Sequence, residues 1–338
     1  MDEEKLKQTI KDMVIKGRGI LAADESVKTA TKRLASINVE STEETRRKYR
    51  NLILTTPGME NYIAGVILFE ETLHQKSDNG VLFPEVLQKN GIVPGIKVDQ
   101  GLADLNEGGE KYTKGLEGLE YRLKEYKKSW VRFTKWRAVY NISESTPSAE
   151  AINKNAQDLA KYAKVCHGHD FVPIVEPEVL IDGTHSIEQC YEVTEKVLKE
   201  VFDALKRENV RIDLCVLKPS MVISGKEAED RADVDEVAKQ TVKCLKATVP
   251  PELPSINFLS GGQTPVEATA HLNRIHTLGE NLPWYVSFSY ARALQEPALK
   301  AWQGKQENLK AGQDAFFKRA KLNGLATEGK YADVMEYE

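Results

Sequence analysis

The chain has 338 residues, 41% hydrophobic and 29% charged, with 47 Lys+Arg against 51 Asp+Glu and a net charge of −4. That balance describes an ordinary globular protein with a real core and excludes a global basic field that would recruit nucleic acid or a membrane surface. No run of 18 apolar residues and no apolar leader occurs, and the four cysteines (Cys166, Cys190, Cys215, Cys244) form no C-x-x-C pair, so the expectation is a cytoplasmic protein with free thiols.

Residues 3–14 alternate charged and apolar groups at helical spacing and predict an amphipathic first helix, reaching no further than 16. Gly17-Arg18-Gly19 breaks it, and the apolar run 20–23 ends in Asp24-Glu25-Ser26. Helical patterns follow over 29–37 and 42–55, and the next apolar run, 62–69, ends in Glu70. After a helix over 84–90 comes a strand pattern through Lys97 to Asp99, then a glycine- and charge-rich loop over 104–114. A helix over 116–128 leads to the run 131–139, which contains Lys135 and Arg137. Ser148 is placed to cap a helix over 148–165, and the strand 171–175 ends in Glu176-Pro177-Glu178. The long helix 186–208 precedes the apolar run 214–217, which stops on Lys218-Pro219. A helix over 234–247 follows, and the run 256–259 ends in Ser260-Gly261-Gly262-Gln263 before a helix begun by Pro265. The run 284–288 ends in Ser289 with Arg292 close behind, and a final helix covers about 296–322.

Eight short apolar runs, each followed by helical sequence, predict a closed α/β barrel of the (β/α)8 (TIM) type as one domain spanning 1–338. A doubly wound open sheet is the alternative, but its Gly-rich first turn is missing. The tail, about 323–338, is expected to be mobile.

In such a barrel the C-terminal strand ends converge on one mouth. Titratable groups cap seven of the eight runs and Ser260-Gly261-Gly262 caps the remaining one, a crowding that a purely structural barrel does not need. Lysines gathered at one mouth are expected to lower one another's pKa, and a neutral lysine attacks a carbonyl to form a Schiff base. Glu176 stands ready as the acid/base, Glu178 lies on the same strand face, and Asp24 is a second base across the mouth. The two glycines before a helix form a backbone anion site that Arg292 would reinforce.

The letters Leu259-Ser260-Gly261-Gly262-Gln263 also match the signature loop of ABC-type ATPases. That reading needs a Walker A loop, and none of the Gly-Lys pairs is followed by Ser or Thr. The six histidines show no metal-ligand spacing, so neither a metal nor another cofactor is expected.

These stretches together resemble class I fructose-1,6-bisphosphate aldolase, the metal-independent Schiff-base enzyme of glycolysis and gluconeogenesis. The matching segments are Gly19 to Ser26, Pro94 to Asp99, Lys135-Trp136-Arg137, Pro173 to Glu178, Leu217-Lys218-Pro219, Phe258 to Gln263, and Phe288-Ser289-Tyr290 with Arg292. The resemblance implies Lys218 as the Schiff-base lysine, Glu176 as its acid/base and Asp24 as the base for the C4 hydroxyl. Lys135 and Arg137 would polarise and orient the open-chain ketose, and Glu178 would hold the lysines in place. One phosphate would fall to Ser260, Gly261, Gly262, Ser289 and Arg292, the other to Ser26, Lys32, Arg33 and Lys97. The resemblance further implies a homotetramer and cytoskeletal binding.

The chain departs from the family pattern at Asp213-Leu214, at Val27-Lys28-Thr29, at Ala291 and in its short tail, where Tyr337 stands in unfamiliar context. Two other readings stay open: a Schiff-base aldolase for a related sugar phosphate, and a non-catalytic scaffold on the same fold.

Overall fold

The computed structural model describes residues 1–337. Ten strands are formed: β1 (Gly19–Ala23), β2 (Ile63–Leu68), β3 (Val93–Lys97), β4 (Leu102–Asp104), β5 (Lys111–Thr113), β6 (Phe133–Tyr140), β7 (Val172–Val179), β8 (Val216–Leu217), β9 (Ser255–Phe258) and β10 (Tyr285–Tyr290). Eight of them close into a parallel barrel in the order β1-β10-β9-β8-β7-β6-β3-β2, while β4 and β5 pair as a separate antiparallel hairpin. The helices are α1 (Glu3–Met13), α2 (Val27–Ala35), α3 (Glu43–Leu54), α4 (Glu70–Leu73), α5 (Phe83–Lys89), α6 (Leu119–Tyr126), α7 (Ala149–Gly168), α8 (Ile187–Arg207), α9 (Val234–Thr248), α10 (Pro265–Thr277), α11 (Arg292–Trp302) and α12 (Leu309–Ala326). The predicted (β/α)8 barrel is therefore the observed fold.

Local chemistry explains where the helices start. Ser148 accepts from the Ala151 N–H at the head of α7, and Ser186 with Gln189 forms a capping box on α8. Thr264 and Glu267 do the same for α10, with Pro265 at its first turn. Three sequence expectations change. The predicted loop over 104–114 is a hairpin, whose buried Glu110 accepts from the Ser148 backbone N–H at 2.7 Å and so ties it to α7. The predicted last helix is two helices, because Gln303 (φ 53°) and Gly304 (φ 73°) turn left-handed between α11 and α12. Glu176 and Glu178 lie within β7 rather than beyond it. As expected from their spacing, both line the mouth.

The barrel interior is filled by Ile20, Ala22, Ile67, Val93, Phe133, Val172, Ile174, Leu214 and Val216, packed with Leu6 and Met13 of α1. Val93, Phe133 and Val172 are the first residues of their strands, so α1 closes the N-terminal end of the barrel. The opposite end alone is left open to chemistry. A second, larger core lies between the barrel wall and the surrounding helices.

Residues 327–337 fold back on α10 and α12: Tyr331 is buried, its N–H donates to Asn273 at 3.0 Å, and Glu336 pairs with Arg319 at 2.6 Å. The first four residues of the expected tail, 323–326, are the end of α12.

Because Leu6 is fully buried in the plug, Leu6→Ala is expected to cost about 3 kcal/mol through a cavity that the rigid strands cannot close. Urea unfolding of the variant measures this, and a loss below about 0.5 kcal/mol would show that α1 does not plug the barrel.

Candidate active site

The open end of the barrel holds a cavity of about 1140 Å³, and all fifteen residues singled out from the sequence line it. At its floor, Lys218 at the end of β8 has Nζ 3.2 Å from Glu176 Oε1. The other oxygen of Glu176 lies 3.1 Å from Lys135 Nζ, and Lys135 reaches on to Asp24 Oδ2 at 2.6 Å. A continuous string, Asp24–Lys135–Glu176–Lys218, thus crosses the mouth from β1 to β8. Lys135, Glu176 and Lys218 are buried and Asp24 nearly so, with 11% of its side chain exposed.

Burial opposes ionisation of these groups, and the pairing overrides it. For Asp24, burial pushes the carboxyl pKa up, but Lys135, Lys218 and Lys97 bring it down from 3.8 to about 2. Burial likewise resists the charge on Glu176, and Lys135, Lys218 and Arg137 hold it below the ordinary carboxylate value. For Lys135, burial disfavours the ammonium, yet Asp24, Glu176 and Asp99 raise its pKa well above that of a free lysine. The expectation that neighbouring lysines depress one another fails for Lys135: each lysine is closer to a carboxylate than the sequence indicated, and attraction outweighs repulsion.

Several other charges of the cavity are paired as well. Glu178 binds Arg137 rather than a lysine. Lys97 Nζ sits 2.7 Å from Asp99 Oδ1, and Arg33 Nη1 sits 2.8 Å from Glu25 Oε1. Lys32, Lys226 and Arg292 line the cavity with no carboxylate at ion-pair distance among the described residues, and all three are exposed at its rim.

The Ser260-Gly261-Gly262 turn follows β9. Gly261 (φ 49°) and Gly262 (φ 89°) are both left-handed, and a Cβ on Gly262 would stand 2.8 Å from Ile181 Cγ2, so neither position admits a side chain without strain. That same Cβ position is 3.6 Å from Arg292 Nη2, so the guanidinium lies beside the turn. The Ser289 hydroxyl, also lining the cavity, is buried without a hydrogen-bond partner among the described residues. Across the mouth, Ser26 caps α2 by accepting from the Thr29 N–H at 3.4 Å. The arrangement sets an amine and three ionised partners in one cavity with a glycine turn beside Arg292 and with the N-terminus of α2.

Three participants were not singled out from the sequence. Asp99 was visible as the i+2 neighbour of Lys97, the spacing that shares a strand face. Glu25 gave no signal that it would turn toward Arg33. Lys226 lies in the connection after β8, where no motif marks it; its N–H donates to the Ile181 carbonyl at 2.7 Å, which places it on the Ser-Gly-Gly side of the mouth.

Comparison with known proteins gives the family. The family model for class-I fructose-bisphosphate aldolase matches residues 5–338. The chain belongs to that family. It is 52% identical over 333 residues to a probable fructose-bisphosphate aldolase class 1 of Xanthomonas axonopodis pv. citri, covering 98% of this chain and 99% of that protein. It is 50% identical over 316 residues to the cytosolic fructose-bisphosphate aldolase 4 of Arabidopsis thaliana, covering 93% of this chain and 80% of the relative. Among solved structures, the fructose-bisphosphate aldolase of Plasmodium falciparum, in ternary complex with TRAP and a small-molecule inhibitor, superposes with a TM-score of 0.95 at 47% identity, covering 97% of this chain and 95% of that one. The (β/α)8 barrel inferred from the strand pattern is thus shared with that aldolase structure.

The ion-pair string makes a pH prediction for this aldolase-family chain. In the native protein Asp24 contributes stability fully above about pH 4 and loses it as the pH falls toward 2, because its folded pKa is depressed. Lys135→Met removes the shared ammonium and leaves two buried carboxylates, whose pKa values rise, so the variant gains stability as the pH falls. It is expected to lose about 3 kcal/mol at neutral pH. Thermal melts at neutral pH and near pH 5 decide the point: the gap to the native protein narrows in acid, and a gap that stays constant would sink the coupling.

Proposed function

We propose that the chain cleaves fructose 1,6-bisphosphate reversibly to dihydroxyacetone phosphate and glyceraldehyde 3-phosphate through a Schiff base on Lys218. The observation that carries this reading is the contact of the buried Lys218 Nζ with Glu176 Oε1 at 3.2 Å, inside a mouth with an anion site on either side. Glu176 takes the Lys218 proton, and the freed amine attacks the C2 ketone of the open-chain sugar. Glu176 returns a proton to the carbinolamine oxygen as water leaves, which gives the iminium. Asp24, held ionised by Lys135, accepts the C4 hydroxyl proton. The C3–C4 bond then breaks, its electron pair passes into the iminium to form the enamine, and glyceraldehyde 3-phosphate departs. Protonation of the enamine at C3 and hydrolysis of the imine release dihydroxyacetone phosphate and restore Lys218.

Lys135 and Arg137 orient the sugar hydroxyls from the cavity wall. The Ser260-Gly261-Gly262 turn with Ser289 and Arg292 receives the phosphate nearer the ketone, and Ser26, Lys32, Arg33 and Lys97 receive the other. Arg33 and Lys97 reach the substrate only in competition with Glu25 and Asp99, so Lys32 is the readier cation on that side. The cytosolic designation of the Arabidopsis relative supports the same location for this chain, and for a homotetramer the support is the family resemblance.

Borohydride added with dihydroxyacetone phosphate is expected to fix one adduct on Lys218, located by peptide mass spectrometry, and Lys218→Ala to lose the adduct together with about four orders of magnitude in kcat. An unmodified Lys218 in the treated native protein would remove the enzyme assignment. Cleavage is expected to continue in EDTA. Comparing fructose 1,6-bisphosphate with fructose 1-phosphate reads out the Ser26 side: a preference for the monophosphate would assign the chain to a related sugar phosphate instead.

A further inference from the structure

The phosphate turn carries two successive left-handed glycines, which bring no side chain to anchor it, so its position is set by what packs around it. The residue that ends it, Gln263, is buried, and its N–H closes the turn on the Ser260 carbonyl at 2.9 Å. Its side chain points away from the cavity. The amide nitrogen faces Met221 Sδ at 3.9 Å, and the amide oxygen meets His271 Nδ1 at 2.6 Å. Met221 belongs to the segment that carries Lys218, and the Leu259 N–H donates to the Pro219 carbonyl at 3.1 Å, so the turn and the lysine's strand end are joined at two points.

His271 lies on α10, is 3% exposed, and lines no part of the cavity. We propose that His271 is a positioning residue for phosphate binding, whose Nδ1–H holds Gln263 and through it the Ser260-Gly261-Gly262 turn. An amide oxygen only accepts, so the hydrogen in this contact belongs to the imidazole. The ring is neutral at working pH: burial pushes its pKa down to about 4, with Glu267 opposing and Arg231 reinforcing the shift. Without that donor the Gln263 oxygen would be buried and unpaired, a cost the side chain escapes by turning, which frees the last residue of the turn. The inference rests on reading the turn as a phosphate site.

The test uses the isosteres of the two ring nitrogens. In His271→Asn the amide nitrogen takes the place of Nδ1, and in His271→Gln it takes that of Nε2. His271→Leu keeps bulk and removes the donor. The expected result is a KM for fructose 1,6-bisphosphate and for fructose 1-phosphate raised about tenfold in the Leu and Gln variants, with kcat within about twofold, and near-native values in the Asn variant. Equal KM values in the Asn and Gln variants, or a native KM in a folded Leu variant, would overturn the proposal. Should the Leu variant not fold, the Asn–Gln comparison still decides it. Ser260→Ala in the otherwise native chain separates the two layers. A raised KM there with an unaffected Gln variant removes only the role of His271, whereas an unchanged KM removes the phosphate reading and the inference with it.

Discussion

The active site depends on one shared ammonium ion. Lys135 on β6 stands between two carboxylates from different sides of the barrel, Asp24 after β1 and Glu176 in β7. Two carboxylates brought together in a desolvated mouth cannot both stay ionised unless a cation lies between them. A buried ammonium alone would be equally costly. Neither group is tolerable by itself, and the string of charges is tolerable as a whole. The register of the barrel makes this possible. Lys97 and Lys135 are direct neighbours across β3 and β6, a like-charge pair that Asp99 relieves by taking Lys97.

From that constraint follows a division of labour by depth. Every cation at the floor of the cavity has a carboxylate at contact distance, so the reacting groups are fixed before substrate arrives, the condition under which electrostatic catalysis needs little reorganisation. The cations without such partners, Lys32, Lys226 and Arg292, stand at the rim. Anionic substrate groups thus meet unpaired positive charge first, while the paired floor is left to the chemistry. The helix plug at the other end has the matching role: by filling the interior from below with Leu6 and Met13, it gives the floor a rigid, dry support.

Much of this was legible in the sequence because strand ends are legible. Eight apolar runs, seven of them stopping at titratable groups, locate the mouth without any contact information, and Glu176-Pro177-Glu178 reveals by its period of two that both carboxylates face one way. What stayed hidden is pairing. Whether Lys135 sits nearer a lysine or a carboxylate is decided by barrel closure, a long-range property, and the expectation of a depressed pKa failed for Lys135 for that reason. The β4–β5 hairpin looks like a loop in the sequence because its strands are three residues each and its tie to α7, Glu110 on Ser148, lies far along the chain. The break at Gln303 was missed because nothing in the helical pattern there requires a left-handed residue.

The tail shows how a single buried charge fixes a segment that periodicity cannot place. Arg319, only 4% exposed, donates to both carboxylate oxygens of Glu336 at 2.6 Å and to the Pro265 carbonyl at 2.8 Å. Tyr331 donates its hydroxyl to the same carboxylate at 3.0 Å. Lifting the tail away would strand the guanidinium against neutral partners, a loss on the order of several kcal/mol. These charges act beside the apolar contacts of Tyr331 and Met335 with the core, and docking leaves Tyr337 pointing into solvent, 90% exposed, outside the cavity. Since Pro265 opens α10, the helix that follows the Ser260-Gly261-Gly262 turn and carries His271, Arg319 joins the tail to that same helix. The mouth is thus braced from behind through α10, at a distance from any reacting atom.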